Sequence, residues 1–191
     1  MSQSLLYFAY GSNLHPLRLR ERAPSSRCVA LAELVGYQLC FHKSGRDGSG
    51  KCNVSCTGGR NERVLGALYE LACSDKVILD EVESLGAGYH QRQLSLCGPD
   101  GSREAFTYAA DPDYVDDSMQ PYEWYRELVL WGARYHRFSD SYISAIAFQR
   151  AVVDPVPERP NNYQRLLRAM QDLSRQGYPF RTPTLYRAVM R

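Results

Sequence analysis

A short polar turn near the N-terminus is the first feature with the chemistry of a binding site. Residues 5–9 are apolar or aromatic and predict a buried strand. The strand ends at Gly11, Ser12 and Asn13, and Gly11 can adopt a positive φ. Ser12 or Asn13 can cap the helix predicted over 14–22. A strand, a turn and a helix N-terminus together present unpaired backbone N–H groups, which suit a carboxylate or an oxyanion. An ordinary strand and turn without a ligand would leave the same pattern.

Three carboxylates lie in a helix predicted over 76–85, whose apolar residues have helical spacing. At about 100° per residue, Glu81 and Glu83 flank the apolar stripe on opposite sides, while Asp80 points away from it. A partly buried carboxyl at the edge of such a stripe can serve as a general acid or base. A solvated helix face would show the same residues. The pattern alone does not choose between Glu81 and Glu83.

The segment 44–51 is a loop by composition and contains part of a phosphate-binding motif, with Gly45 four residues before Gly50 and Lys51. The next position should be Ser or Thr to bind magnesium, but it is Cys52. The residues that follow are typical of a strand, whereas the motif requires a helix there. The sequence therefore disfavours a nucleotide site.

The cysteines predict a reduced, cytoplasmic protein without a metal centre. Cys52 and Cys56 are four residues apart, which is not the usual zinc spacing, and no second pair or nearby histidine completes four ligands. Apolar neighbours in predicted strands indicate small buried thiols at five positions: Cys28, Cys40, Cys56, Cys73 and Cys97.

Composition is that of one soluble globular domain. The chain has 191 residues, enough for a sizeable core, and 44% are apolar while 23% are charged. The net charge of +2 comes from scattered Lys and Arg, so no basic patch points to nucleic acid or an anionic membrane. No apolar run approaches the roughly 18 residues of a membrane-spanning helix, and residues 1–4 do not begin a secretory signal.

The remaining pattern predicts a mixture of strands and helices. Strands are expected at 28–41, at 64–71 and in a hairpin, 91–97 with 104–109; Gly66 predicts a close backbone approach. Helices are expected at 122–135, at 139–151 and from Asn162 to a stop at Gly177. We expect a stiff connector at 154–160, because it is rich in proline, and a tail at 178–191 that wraps the surface.

Several of these segments together resemble the γ-glutamylcyclotransferase family, including its AIG2-like relatives. Their order and spacing agree from about residue 5 to residue 151, and the turn segment is the most specific of them. The segments are the turn 10–14 after an N-terminal strand, the strand 64–69 and the helical segment 79–83. Two single residues also match, Tyr89 and, seven residues before Gly132, Tyr125.

The resemblance implies an α+β fold around a small mixed β-barrel, with flanking helices and a substrate cavity at the barrel mouth. The family-like domain would span 1–151, and residues 152–191 would form a C-terminal helix and tail packed on the same domain. The loop 45–53 would then be part of the cavity rim.

The resemblance also implies an activity, in which a γ-glutamyl amine or γ-glutamyl amino acid cyclises to 5-oxoproline and releases its amine. It selects Glu83 as the catalytic acid and base, and leaves Glu81 and Asp80 as flanking charges. No cofactor or metal is expected, because nucleophile and electrophile share one molecule. The implied substrate-binding residues are Tyr10, Gly11, Ser12, Asn13, Leu14, Tyr89 and Tyr125.

Two other interpretations stay open at this stage. A non-catalytic or regulatory module on the same fold would bind a γ-glutamyl or amino-acid carboxylate without converting it, although Glu83 beside an anion-binding turn argues against this. A cyclotransferase could instead remove a γ-glutamyl group that protects another metabolite. The sequence identifies neither the leaving group nor the oligomeric state.

Overall fold

A closed β-barrel forms the centre of the computed structural model, which describes residues 4–176 and 184–191. Around the barrel the strand order is β1-β5-β2-β8-β6-β7, and β3 with β4 forms a separate two-stranded sheet. The strands are β1 Ser4–Ala9, β2 Arg27–Val35, β3 Tyr37–Ser44, β4 Gly50–Cys56, β5 Arg63–Ala72, β6 Tyr89–Gly98, β7 Gly101–Ala110 and β8 Leu185–Met190. The helices are α1 Pro16–Arg20, α2 Cys73–Val82, α3 Glu123–Tyr135, α4 Asp140–Ala147 and α5 Glu158–Gln176.

Both parallel and antiparallel pairs close the barrel, as the prediction of a mixed barrel in an α+β fold requires. Strand β1 pairs antiparallel with β5 and parallel with β7, and Tyr7 lies opposite Tyr69 on one side and Phe106 on the other. The ends of β1 and β7 and the start of β6 therefore lie at the same end of the barrel. This end carries the candidate site.

Gly66 allows the close approach that the sequence predicts between β5 and β1. A Cβ at this position would lie 2.4 Å from Cε2 of Phe8 and 2.7 Å from the carbonyl oxygen of Ala9. Phe8 is fully buried. Any side chain at Gly66 would therefore push β1, and with it the turn that follows, away from the barrel.

Several helix boundaries differ from the sequence prediction. Helix α1 starts at Pro16 with His15 as its N-cap, because Nδ1 of His15 accepts a hydrogen bond from the N–H of Leu17. Helix α4 ends at Ala147, short of the predicted residue 151. Helix α5 starts at Glu158 rather than after Asn162, since a proline is tolerated in a first helical turn. The predicted helix stop at Gly177 lies outside the described residues.

The described part of the predicted surface tail is a barrel strand. Strand β8 pairs parallel with β2 and antiparallel with β6, so the prediction of a tail wrapping the surface is wrong there. Tyr186 and Ala188 are buried while Leu185 and Val189 are exposed, which is the alternation of a half-buried strand. The domain division at residue 151 remains a prediction.

Cysteine burial is also less uniform than predicted. Cys52 is buried and Cys28 and Cys40 are half-buried, but the other three, at 56, 73 and 97, are exposed. Cys97 alternates with buried Leu96 along β6 and so faces outward, while Cys56 ends β4 and Cys73 begins α2. Within residues 4–176 and 184–191 no group of His, Cys, Asp and Glu could hold a metal ion. In the same ranges, every helix is too short or too polar to span a membrane.

Candidate active site

A small cavity of about 20 Å³ lies at the barrel end where β1 and β7 finish. It opens to an outer cleft of about 240 Å³, and Ser12, Glu83, Tyr89 and Tyr125 line both. Its wall is mostly aromatic and polar, formed by Tyr7, Tyr10, Gly11, Ser12, Asn13, Cys52, Glu83, Tyr89, Tyr108 and Tyr125. The inner cavity has room for about one water molecule, so anything larger must extend into the cleft.

Glu83 reaches the cavity because helix α2 ends just before it. The residue is the C-cap of α2, and Ser84 turns the chain with a φ of 54°. The predicted apolar stripe is not the cause: only Leu79 of it is buried, while Ile78 and Val82 are largely exposed. The helix therefore ends earlier than predicted, and its early end turns Glu83 inward.

The Glu83 carboxylate is anchored by one of its two oxygens. Oε1 accepts a hydrogen bond of 2.9 Å from Nδ2 of Asn13 and one of 2.8 Å from the Arg22 guanidinium. The side chains of Arg22 and Glu83 are only 17% and 16% exposed, so this ion pair is poorly screened by solvent. Oε2 has no hydrogen-bond partner among the residues that the structure describes. One oxygen thus fixes the orientation of the group, and the other is available to exchange a proton.

The turn after β1 has the unpaired donors that the sequence predicts, although no helix follows it directly. The carbonyl of Gly11 accepts from the N–H of Leu14 at 2.9 Å. In the described part of the chain, the N–H groups of Gly11, Ser12 and Asn13 make no backbone hydrogen bond. These donors come from the turn itself, because α1 starts only at Pro16.

Glycine is required at position 11 for a different reason from the predicted positive φ. Gly11 is not among the glycines with positive φ. A Cβ there would lie 2.9 Å from Cβ of Cys52, which is closer than carbon atoms normally approach. The absent side chain therefore lets the turn pack directly against β4.

The three predicted pocket tyrosines line the cavity, but their hydroxyl groups are engaged within the protein. Tyr10 donates to the carbonyl of Tyr108 at 2.7 Å, and Tyr89 donates to the carbonyl of Cys52 at 2.6 Å. Tyr125 accepts from the N–H of Cys52 at 3.0 Å. Burial raises the pKa of all three phenols well above 10, which keeps them neutral. Tyr10 and Tyr89 have no second hydroxyl hydrogen, so in this arrangement neither hydroxyl can also donate to a substrate.

Leu14 lies behind the cavity wall rather than in it. It is fully buried, and a Cβ on Gly132 would lie 2.8 Å from its own Cβ. Its carbonyl accepts hydrogen bonds from the Tyr69 hydroxyl at 2.7 Å and from Nε2 of His136 at 2.9 Å. These contacts make Leu14 an anchor of the turn, and the substrate contact that the resemblance implies for it stays a prediction.

Three cavity residues are absent from the sequence prediction: Tyr7, Cys52 and Tyr108. Arg22, which lines the outer cleft and pairs with Glu83, is absent as well. The Tyr7 hydroxyl accepts from Nδ2 of Asn13 at 3.2 Å, and Tyr108 donates to Oδ1 of Asp80 at 2.6 Å. Asp80 therefore contacts the cavity wall instead of pointing away from it. Alternation along β1 could have identified Tyr7, but no local pattern identifies Arg22, which meets Glu83 only in the folded chain.

The turn between β3 and β4 forms part of the outer cleft, as the resemblance predicts for the rim. Gly45, Arg46 and Asp47 line the cleft, and Lys51 at the start of β4 forms an ion pair with Asp47 at 2.7 Å. A phosphate-binding loop is excluded here, because Gly50 and Lys51 begin strand β4, whereas the motif requires a helix at that point.

Comparisons with known proteins agree with the fold. A family model described as the AIG2-like family matches residues 63–146. Human γ-glutamylcyclotransferase is 28% identical over 140 residues, which cover 69% of this chain and 71% of the human protein. The mouse γ-glutamylcyclotransferase is 24% identical over 184 residues, covering 92% and 90%. A solved γ-glutamyl cyclotransferase structure has the same fold, with a TM-score of 0.71 and 22% identity over 92% of this chain and all of that one. Residues 63–146 therefore match the AIG2-like family, and the chain is similar in sequence and fold to γ-glutamylcyclotransferases.

Proposed function

We propose that the protein is a γ-glutamylcyclotransferase-type enzyme that converts a small γ-glutamyl compound to 5-oxoproline and a free amine. The observation that carries the proposal is the pairing of Glu83 with the turn 11–13 across one cavity, linked by the Asn13–Glu83 hydrogen bond of 2.9 Å. An anchored carboxylate and a set of free N–H donors are the two components that this intramolecular reaction needs.

The first step is proton removal followed by ring closure. Oε2 of Glu83 takes a proton from the α-ammonium group of the γ-glutamyl unit, and the resulting amine attacks the γ-carbonyl carbon of the same molecule. Both groups already share one chain of atoms, so the enzyme needs only to hold the reactive conformer and requires no cofactor. The N–H groups of Gly11, Ser12 and Asn13 would bind the α-carboxylate or the oxyanion that forms on the γ-carbonyl.

The second step returns the proton. Glu83 gives it to the leaving nitrogen, and the bond from that nitrogen to the γ-carbon breaks. The ring nitrogen gives up its second proton, which the departing amine takes up as an ammonium ion, and 5-oxoproline is released. The carboxylate is then regenerated, and no net proton is consumed. Arg22 and Asn13 hold Oε1 throughout, so one oxygen positions the group while the other transfers the proton.

The partner in this proposal is a small γ-glutamyl molecule, with neither nucleic acid nor membrane involved, in a cytoplasmic setting. A binding module on the same scaffold would use the turn but would release no product. Product formation therefore separates the two functions.

The decisive experiment measures 5-oxoproline by mass spectrometry after incubation with a panel of γ-glutamyl amino acids and amines. We expect product from the wild type, and a kcat lower by a factor of about 10² to 10⁴ for Glu83→Gln, with substrate binding retained. Glu81→Gln is the matched control, because Glu81 is exposed two residues away, and it should keep most activity. Wild-type turnover by Glu83→Gln would refute the mechanism, and loss of activity in Glu81→Gln would assign the base to the other glutamate.

A further inference from the structure

The outer cleft contains a buried cation, Lys43, that forms no ion pair with any residue in the described part of the chain. Lys43, near the end of β3, is 5% exposed and lines the cleft. The cleft residues Arg22 and Lys51 form ion pairs with Glu83 and Asp47. Among the residues described, Lys43 forms no ion pair, and its Nζ donates no hydrogen bond to a carboxylate or carbonyl oxygen. A buried ammonium normally has an anionic partner, because its desolvation is costly.

The surroundings of Lys43 hold its ammonium in place. Nζ lies 4.9 Å from the ring centre of Tyr89 and 5.6 Å from that of Tyr114. Gly88, which has a φ of 147°, provides the space, since a Cβ there would lie 2.7 Å from Nζ. Ring faces attract a cation but do not replace an ion pair. Burial accordingly lowers the pKa of Lys43, and the Glu83 carboxylate opposes this effect.

The position of Lys43 relative to Glu83 indicates which part of a substrate it meets. Tyr89 lines both the inner cavity and the outer cleft, and the Lys43 ammonium lies against its ring. With the γ-glutamyl head at the turn and its γ-carbonyl at Glu83, the leaving group has to extend into the cleft, since the cavity is only about 20 Å³. Lys43 therefore faces the leaving group and not the γ-glutamyl head.

We propose that Lys43 is a specificity-determining residue that binds a carboxylate on the leaving group. This inference rests on the proposed function and narrows its substrates to γ-glutamyl amino acids or peptides whose released amine carries an acid. Derivatives of neutral or cationic amines would leave the Lys43 charge unpaired. Arg46, exposed at the rim, adds a second positive charge at the entrance.

The test compares two ligands that differ only in this carboxylate, γ-glutamyl-alanine and γ-glutamyl-alanine amide. Isothermal titration calorimetry with the Glu83→Gln protein measures binding without turnover. Adding Lys43→Met to this protein removes the positive charge of the side chain and keeps an apolar chain of similar length. Arg60→Met is the control, because Arg60 is exposed and does not line the cleft. We expect the acid to bind at least tenfold more tightly than the amide, a preference that Lys43→Met reduces to less than twofold and Arg60→Met preserves.

Equal affinity for acid and amide, or a preference that survives Lys43→Met, would overturn the inference. Should Lys43→Met fail to fold, the comparison of acid and amide in the protein that keeps Lys43 is the test. A preference for the acid of less than twofold would then overturn the inference. Turnover by the wild type tests the enzyme separately. Release of 5-oxoproline without a preference for the acid removes only the role of Lys43, whereas an acid preference without product removes only the proposed catalysis.

Discussion

Two buried histidines predict that the protein loses stability as the pH falls below neutrality. His15 is fully buried and His136 is 4% exposed, and both lie beside Leu14, which anchors the candidate turn. Burial lowers the pKa of His136 to about 4 and that of His15 to about 3. The folded protein therefore keeps both rings neutral at pH values where the unfolded chain binds protons.

The sign and size of this stability change follow from the difference in histidine pKa between the folded and unfolded protein. The histidine pKa of an unfolded chain is about 6.5, so the stability that a neutral buried histidine adds is fully present above that pH. It is lost as the pH falls through 6.5 towards the folded value. For His136 alone, the loss between pH 7 and pH 5 is about 2 kcal/mol. His15 adds a further loss that is not simply additive, because proximity to His136 is one cause of its lowered pKa.

Urea unfolding at pH 7 and pH 5, followed by tryptophan fluorescence, measures this loss. His136→Gln can still donate to the Leu14 carbonyl but does not titrate, so its loss of stability between the two pH values should be smaller than that of the wild type by about 2 kcal/mol. His90→Gln is the control, since the His90 side chain is 47% exposed, and it should behave as the wild type does. An unchanged pH dependence in His136→Gln would refute the reasoning.

A variant of Tyr7 and a thiol reagent test the cavity wall. Tyr7→Phe removes the hydroxyl that accepts a hydrogen bond from Asn13, so kcat/KM should fall about three- to tenfold. The control Tyr163→Phe lies outside the cavity and should have no effect, and equal rates for the two variants would exclude a role for the Tyr7 hydroxyl. Burial raises the pKa of Cys52 to about 12, so iodoacetamide at pH 8 should label exposed Cys97 well before Cys52. Peptide mass spectrometry follows both sites, and faster labelling of Cys52 would contradict its burial.

The parts of the site that the sequence predicts correctly are those set by neighbouring residues. The strand β1 and the turn after it follow from an apolar run that stops at Gly11, and the hairpin of β6 and β7 follows from the turn at 98–101. Glu83 was selected over Glu81 by family resemblance, and not by helix geometry. The stripe from which the geometry was argued is mostly exposed, so the helical pattern alone would not have found the residue.

The parts that the sequence does not reveal depend on contacts between distant segments. Arg22 meets Glu83 because α1 and the end of α2 pack at the same end of the barrel, and neither segment marks the other in sequence. The hydrogen bonds of Tyr10 and Tyr89 are hidden from the sequence for a similar reason, since their hydroxyl partners are main-chain carbonyls on β7 and β4. Residue type alone does not distinguish a hydroxyl that meets a ligand from one that joins two strands.

The place of β8 in the barrel has a consequence for biosynthesis. Leu31 of β2 pairs with Leu185 of β8, and β8 also pairs with β6. One edge of β2 and one edge of β6 therefore stay unpaired until the ribosome has synthesised β8. During translation the nascent chain therefore carries two open sheet edges, and pairing across so long a separation makes ring closure a late event. A chain that ends before β8 would keep both edges open and would be prone to aggregate.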